Sequence, residues 1–176
     1  TGAGKTLAGY LPALTELDYG AWRGSGIHTL YVSPLKALAV DVQRNLLTPV
    51  SDMGLGIRIE TRTGDTPQSR RQRQRIRPPE ILLTTPEQIA LLRATEDSAW
   101  FFRDLQRVII DELHAIAPSK RGDLLALDIA RLRHLAPQMT ITGLSATVAR
   151  PAELCAWLVP QRSPDEAIQL ADLVAI

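Results

Sequence analysis

Residues 107–114 place two adjacent carboxylates directly after a short apolar run. The run 108–110 favours a buried strand, and Asp111 and Glu112 follow where that strand would end. Ligands of an open parallel sheet bind beyond the carboxyl ends of its strands. Two neighbouring acids there need a positive partner, which a magnesium ion carrying the phosphates of a nucleotide would supply. The sequence therefore predicts Asp111 near the metal ion and Glu112 free to orient a water molecule.

The first six residues, Thr1-Gly2-Ala3-Gly4-Lys5-Thr6, match the second half of the phosphate-binding pattern G-x-x-x-x-G-K-[ST]. Glycines let backbone N–H groups close around phosphate oxygens, Lys5 would reach the β- and γ-phosphates, and the Thr6 hydroxyl would bind Mg²⁺. Apolar residues within 6–17 recur at helical spacing, so the loop is predicted to lead into a helix whose N-terminus favours anions. A glycine-rich frayed terminus is the alternative that this short string leaves open.

Predicted strands and helices alternate along the chain. Strands are predicted at 28–33, 55–61, 80–85, 107–110 and 140–144, and helices at 6–17, from 34 to about 53, and at 86–94, 123–135 and 151–158. This alternation favours an α/β fold, a mostly parallel sheet with helices on both faces. The length of 176 residues is that of one domain, and we assign residues 1–160 to it and 161–176 to a linker.

Three connections are predicted to be irregular: a turn at 62–66, a polar and aromatic loop at 96–104, and a loop at 115–122 beside the carboxylates. Within the second, Trp100, Phe101 and Phe102 are expected to be in the core or covered by a partner. Cys155 is expected to be a small core residue, and His28 and His134 to be structural.

The net charge of +1 gives the chain no polyelectrolyte character, so any nucleic-acid contact must come from local basic clusters. One segment after Pro67 carries five arginines and no acid: Arg70, Arg71, Arg73, Arg75 and Arg77. Two interpretations stay open, a phosphate-binding surface and a solvated helix face balanced by acids elsewhere. No aromatic residue is interleaved, so base stacking is not indicated.

Cysteine content and hydropathy indicate the cell compartment. A single cysteine excludes an internal disulfide and fits a reducing environment. No apolar run approaches the roughly 20 residues that a membrane span requires, and no signal peptide is recognised. We therefore expect a cytoplasmic protein with no membrane partner.

Six strings in one order carry a resemblance: TGAGKT, SPLKAL, TGDT, TTPE, DELH and SAT, each at a predicted strand end. Together they resemble the first RecA-like domain, a P-loop domain, of superfamily 2 helicases of the DEAD/DEAH type, over nearly the whole chain. The longer forms YVSPLKALAVD, RTGDTP, ILLTTPEQ, IIDELHA, SKRGDLLAL and GLSATV are most similar to the large helicase-related (Lhr) group. Within that group they look closest to the DNA-ligase-associated DEXH helicases of bacteria.

The resemblance implies ATP and Mg²⁺ as ligands and assigns a role to each matching residue. Thr1, Gly2, Ala3, Gly4, Lys5 and Thr6 would bind the nucleotide. Thr6 and Asp111 would lie at the metal ion, Glu112 would be the base that activates water, and Lys5, Asp111 and Glu112 form the implied catalytic set. His114, Ser145 and Thr147 would couple nucleotide state to strand movement. The residues that would follow the phosphates and sugars of a single strand are Pro34, Leu35, Lys36, Thr63, Gly64, Asp65, Thr84, Thr85, Pro86 and Glu87, with Lys120 and Arg121 as a further contact.

The match to the family pattern is incomplete, because it begins inside the phosphate loop and includes no second RecA-like domain. In the family, that domain supplies arginines that stabilise the transition state, a contribution of about 10³–10⁵ in rate. We therefore expect these 176 residues alone to be nearly inactive as an ATPase and unable to unwind a duplex. The full-length protein would be an ATP-dependent DNA helicase or translocase with a role in DNA repair. Its expected partners are single-stranded DNA (favoured over RNA), the second RecA-like domain and DNA-ligase-associated repair proteins.

Two alternatives stay open at this point. An RNA helicase or a duplex translocase of the same superfamily is one, because the sequence shows no 2′-OH reader or its absence. A non-catalytic nucleic-acid-binding module is the other. Lys5, Asp111 and Glu112 argue against it, since a domain that only binds has no need of a metal and phosphate site.

Overall fold

Five parallel strands form one sheet. The computed structural model describes residues 2–20, 22, 24–146, 148–161 and 166–174, with backbone only at 2–5, 38 and 40. The strands are β1 (Thr29–Val32), β2 (Ile59–Arg62), β3 (Ile81–Thr84), β4 (Arg107–Ile110) and β5 (Thr140–Gly143), in the spatial order β2-β3-β1-β4-β5. Every pairing is parallel and in step, so all five carboxyl ends lie along one edge, the carboxyl edge. The predicted parallel α/β sheet is confirmed.

The described helices cover both faces of this sheet. They are α1 (Gly2–Asp18), α2 (Lys36–Asp52), α3 (Gln68–Ile76), α4 (Pro86–Arg93), α5 (Ser98–Phe102), α6 (Leu113–Ile116), α7 (Lys120–Leu135) and α8 (Pro151–Leu158). Side chains alternate along each central strand. Leu30 and Val32 therefore pack with α4 to α8 on one face, while Tyr31 packs with α1 and α2 on the other. Cys155 is buried on α8, as predicted.

Three predictions of loop structure were wrong in part. The aromatic loop at 96–104 contains α5, because Phe101 and Phe102 enter the core edge-to-face, with ring centroids 5.0 Å apart. The loop at 115–122 is shorter than predicted, since α6 and the start of α7 lie within it. Ser119 caps α7 by accepting the backbone N–H of Gly122, which starts that helix at Lys120. Helix α1 begins at Gly2 and not at residue 6.

The free edge of β2 is covered by glutamine side chains. Gln43 of α2 donates to the carbonyl oxygen of Ile59 (2.8 Å), and Gln74 of α3 donates to that of Thr61 (3.1 Å). Exposed strand edges otherwise offer unpaired acceptors to other chains. Helix α3 is thereby fixed beside the outermost strand.

The C-terminal part of the chain has little regular structure where it is described. Residues 166–174 form no helix or strand, although the N–H of Ala171 donates to the carbonyl oxygen of Cys155 (3.1 Å). The predicted linker lies partly outside the described residues, at 162–165. None of the described helices is both long enough and apolar enough to cross a membrane.

Candidate nucleotide and nucleic-acid site

Asp111 leaves β4 at the carboxyl edge with its carboxylate held by two donors. Its backbone N–H donates to the carbonyl oxygen of Val32 (2.8 Å), which continues the hydrogen bonding between β4 and β1. Its Oδ1 accepts the N–H of Glu112 (2.9 Å), and its Oδ2 accepts the hydroxyl of Tyr31. These two bonds fix the plane of the carboxylate. Each carboxylate oxygen has a second lone pair, so the group can still bind a cation.

Tyr31 is a site residue that the sequence analysis missed. It lies in the middle of β1, fully buried, and stacks on Tyr10 of α1 with ring centroids 5.3 Å apart. Burial raises the pKa of Tyr31 far above its usual value, and the hydrogen bond and charge of Asp111 raise it further. The hydroxyl is therefore a permanent donor to Asp111. The available signal was a tyrosine between the apolar residues Leu30 and Val32, but the sequence does not show that β1 and β4 are neighbours.

Helix α1 runs from the carboxyl edge to the opposite edge of the sheet. At its far end Glu16 makes a two-point ion pair with Arg107, the first residue of β4 (2.5 and 2.8 Å). Tyr10, nearer its start, contacts Tyr31 beneath Asp111. At 1.5 Å per residue, Thr6 lies about 6 Å further toward the carboxyl edge than Tyr10. The N-terminus of α1, whose first N–H groups have no acceptor within the helix itself, therefore projects toward the edge that carries Asp111.

The phosphate-loop residues themselves are described only in part. Gly2, Ala3, Gly4 and Lys5 have a described backbone, which is helical, and Thr6 is half-buried. Thr1 lies outside the described residues, as does the side chain of Lys5.

Glu112 has a left-handed backbone conformation, with φ 49° and ψ 43°. It is the one non-glycine residue with positive φ among those that the structure describes. Such a conformation costs about 1–2 kcal/mol for a residue with a side chain. The turn is held in place because Leu113 donates to the carbonyl oxygen of Leu144 (2.9 Å). Strained backbone of this kind concentrates at functional sites, which supports a functional role for Glu112.

His114 joins the carboxylates to the segment after β5. Its Nδ1 lies 3.1 Å from the Ser145 hydroxyl, and its Nε2 lies 3.4 Å from a carboxylate oxygen of Glu112. The structure thus brings together two of the three predicted coupling residues. The third, Thr147, lies outside the described residues.

The three segments predicted to follow a nucleic-acid strand lie side by side after β1, β2 and β3. Two ion pairs cross between segments. Lys36 binds both oxygens of Asp65 (3.0 and 3.1 Å). Arg121 of α7 binds Glu87 (2.5 and 3.1 Å) and donates to the carbonyl oxygen of Pro34 (2.8 Å). Burial acts to raise the pKa of Glu87, but the hydrogen bonds and charge of Arg121 lower it overall.

Burial divides most of the predicted strand-contact residues into two groups, with Pro34 and Arg121 intermediate between them. Thr84 is fully buried and its hydroxyl donates to the carbonyl oxygen of Arg62 (2.8 Å), so it holds two strands together. Thr63, Thr85 and Pro86 are also buried. The exposed members are Leu35, Lys36, Gly64, Asp65, Glu87 and Lys120. A nucleic-acid strand that follows this edge would meet the exposed group directly.

The described residues fit a magnesium ion that arrives with a nucleotide. They contain no cluster of three or more His, Cys, Asp or Glu side chains that could hold a metal by themselves. Mg²⁺ keeps several waters and binds through one or two carboxylates plus the phosphates of its substrate. Asp111 is a carboxylate of this kind, because two donors hold it at the sheet edge toward which α1 projects.

Comparisons with known proteins show that the chain is similar to helicases. Residues 1–154 match the family model described as DEAD/DEAH box helicase. The chain is 44% identical over 174 residues to the Lhr helicase and probable uracil glycosylase of Mycolicibacterium smegmatis, covering 92% of this chain and 11% of that protein. It is 40% identical over 171 residues to the ATP-dependent helicase Lhr-Core of Methanothermobacter thermautotrophicus, covering 90% of this chain and 20% of that protein. It therefore spans a fifth or less of the length of these two curated relatives.

A solved structure extends the likeness to three dimensions. Mycobacterium smegmatis helicase Lhr, solved with single-stranded DNA and AMP-PNP, superposes with a TM-score of 0.77 at 42% identity. The match covers 88% of this chain and 21% of that one. The fold is accordingly that of the RecA-like domains of helicases.

Proposed function

The chain belongs to the DEAD/DEAH box helicase family, and we propose that it is the first RecA-like domain of an Lhr-like, ATP-dependent DNA helicase or translocase. Residues 1–160 form this domain, and 161–176 lead toward a second RecA-like domain. One observation carries the proposal. Asp111, Glu112, His114 and Ser145 converge at the carboxyl edge toward which the N-terminus of α1 projects.

ATP is the proposed nucleotide, and its phosphates bind at the start of α1. Backbone N–H groups from Gly2 onward and the Lys5 ammonium favour negative charge there. Thr6 and Asp111 would hold Mg²⁺, which neutralises charge on the phosphates when bound. Tyr31 and the Glu112 N–H keep the Asp111 carboxylate in one orientation, so little reorganisation is needed when ATP arrives.

Glu112 orients the attacking water and accepts its proton. Its left-handed turn presents the carboxylate beside His114, 3.4 Å from the Nε2 atom. Any movement of Glu112 on hydrolysis is transmitted through His114 to Ser145 and the segment after β5. This chain of contacts is the proposed link between nucleotide state and strand movement.

The exposed residues of the three loops after β1, β2 and β3 form the strand path. Contacts to phosphates and sugars position a strand without reading its sequence. DNA is favoured because the similar Lhr structure contains single-stranded DNA. An RNA helicase remains the second candidate, since 2′-OH recognition is not assigned to any of the described residues. The ligase-associated subgroup, the repair partners and a cytoplasmic location stay predictions.

Linkage between nucleotide and strand binding tests the proposal. Fluorescence anisotropy would give the Kd of the full-length protein for single-stranded DNA with and without AMP-PNP and Mg²⁺. Couplings of this type are about 1–3 kcal/mol, so we expect Kd to change by about 5- to 150-fold. The change should shrink in Ser145→Ala, which loses the contact to His114. An identical Kd with and without nucleotide would favour the binding-only module.

A further inference from the structure

Helix α3 is attached to the domain by polar contacts and not by an apolar face. Surface helices ordinarily bury an apolar stripe against the core. The one buried side chain of α3 is Gln74, and the Ile76 side chain is 81% exposed. Core packing therefore does not explain the composition of this helix.

Polar contacts fix α3 directly against the exposed turn after β2. Arg71 donates to the carbonyl oxygens of Thr63 (3.0 Å) and Gly64 (2.6 Å). Gln74 donates to the carbonyl oxygen of Thr61, one residue before the end of β2. The surface of α3 thus continues the proposed strand path beyond the turn at Thr63 and Gly64.

Acids balance only part of the positive charge here. Glu60 pairs with Arg70 and Arg73, and Asp97 pairs with Arg75. Five arginines against these two carboxylates leave three positive charges over residues 70–77. The balance by acids is therefore only partial, and the interpretation as a phosphate-binding surface stays a prediction.

The buried Arg62 adds to this positive field, and one of the three unbalanced charges is that of Arg77. Arg77 is exposed and, in the part of the chain that the structure describes, has no acid partner. Burial, followed by the charges of Arg71 and Arg75, lowers the pKa of Arg62 to about 10, so this guanidinium also stays charged at neutral pH. The positively charged guanidinium groups of Arg62, Arg71 and Arg75 are therefore held close together beside β2.

An open depression of about 450 Å³ lies on the outer side of α3, lined by Ser69, Arg70 and Arg73. The side chains of Arg70 and Arg73 are 39% and 59% exposed. Arg73 bonds Glu60 through one nitrogen, and a guanidinium has five N–H donors, so donors remain for another ligand. Guanidinium groups and a hydroxyl around an open depression are suited to phosphate oxygens.

We propose that the outer face of α3, made by Ser69, Arg70, Arg73 and Arg77, is a second phosphate-binding surface for nucleic acid. It rests on the proposed function, because the strand must first follow the turn beside it. The face has no aromatic residue on which a base could stack, so it binds the charge of the nucleic-acid backbone. Segments of nucleic acid beyond the three loops are held here.

The test compares two doubly substituted forms of the full-length protein. Arg73→Gln with Arg77→Gln removes two charges from the face, while Arg70 and Gln74 still hold Glu60. The matched control is Arg103→Gln with Arg131→Gln. This control also removes two positive charges. One is that of the exposed Arg103, beside Ser25 and Asp104, and the other is that of the exposed Arg131 on α7.

Affinity for single-stranded DNA and for the matching RNA is measured from low to moderate salt. Each phosphate contact to a single strand contributes about 0.7 to the slope of log K against log salt, so losing two lowers the slope by about 1.4. We expect this loss in the α3 variant and not in the control, on DNA, on RNA or on both. Slopes that match in the two variants would refute the surface. If the unsubstituted protein fails to bind any strand, the proposed function itself is refuted.

Discussion

Replacing Tyr31 with phenylalanine removes one hydrogen-bond donor from Asp111 and leaves the rest of the side chain in place. The ring is fully buried and stacks on Tyr10, and phenylalanine retains that packing. Asp111 then keeps only the N–H of Glu112 as a fixed donor. The carboxylate can rotate, and each binding event must reorient it.

The expected magnitude follows from the bond that is lost. A hydrogen bond to a charged group contributes about 1.5–3 kcal/mol, and 1.4 kcal/mol corresponds to a factor of ten. We therefore expect the Mg²⁺ concentration for half-maximal ATP binding to rise about 10- to 100-fold in Tyr31→Phe. A fluorescent ATP analogue titrated with Mg²⁺ reports this directly, and urea denaturation shows whether the fold is retained.

Tyr10→Phe is the matched control. The Tyr10 hydroxyl is buried and has no hydrogen-bond partner in the described part of the chain. Its removal breaks no bond, so stability should be equal or higher and the Mg²⁺ response unchanged. If the two variants require the same Mg²⁺ concentration, Tyr31 does not position Asp111 and the reasoning is wrong.

Three further changes test the packing around the site. Arg93→Ala leaves the fully buried Asp128 carboxylate without the guanidinium 2.6 Å away, so the free energy of unfolding in urea should fall by about 3–5 kcal/mol; adding Asp128→Leu should restore most of it. Gly122→Ala places a methyl group against the carbonyl oxygen of Ile116 and 2.8 Å from that of Ala117, so Tm should fall despite the higher helix propensity of alanine. Burial acts to raise the pKa of Glu60, but its hydrogen bonds to Gln74, Arg73 and Arg70 lower it overall. Its stabilising effect is therefore present above about pH 4.3, the usual glutamate pKa, and is lost as the pH falls through the lowered value. As the pH is lowered over that range, the free energy of unfolding of Glu60→Gln, measured in urea at stepped pH, should fall less than that of the unsubstituted protein. An equal fall would contradict the assignment.

Much of the fold could be predicted because periodicity and turn chemistry act locally. The apolar run 108–110 is typical of a buried strand, and Pro151 is typical of the first turn of a helix, here α8. Helix α5 was missed because its five residues are too few to show a helical period. The burial of Phe101 and Phe102 decided its structure.

The site was predictable in its residues but not in their contacts. Asp111 and Glu112 stand out because two acids follow a buried strand. The bond from Tyr31 depends on β1 lying beside β4, and the order of strands in a parallel sheet is a property of the whole chain. The burial of Thr84 and the ion pair of Arg121 with Glu87 likewise arise from residues distant in sequence.

The central claim is that this domain is part of a strand-coupled ATPase. The measurement that tests it most directly is steady-state ATP hydrolysis by the full-length protein, alone and with single-stranded DNA, RNA or duplex, beside Glu112→Gln. We predict strong stimulation by single-stranded DNA and loss of hydrolysis in Glu112→Gln with nucleotide still bound. Hydrolysis that is absent under every condition, while strand binding persists, would contradict the claim.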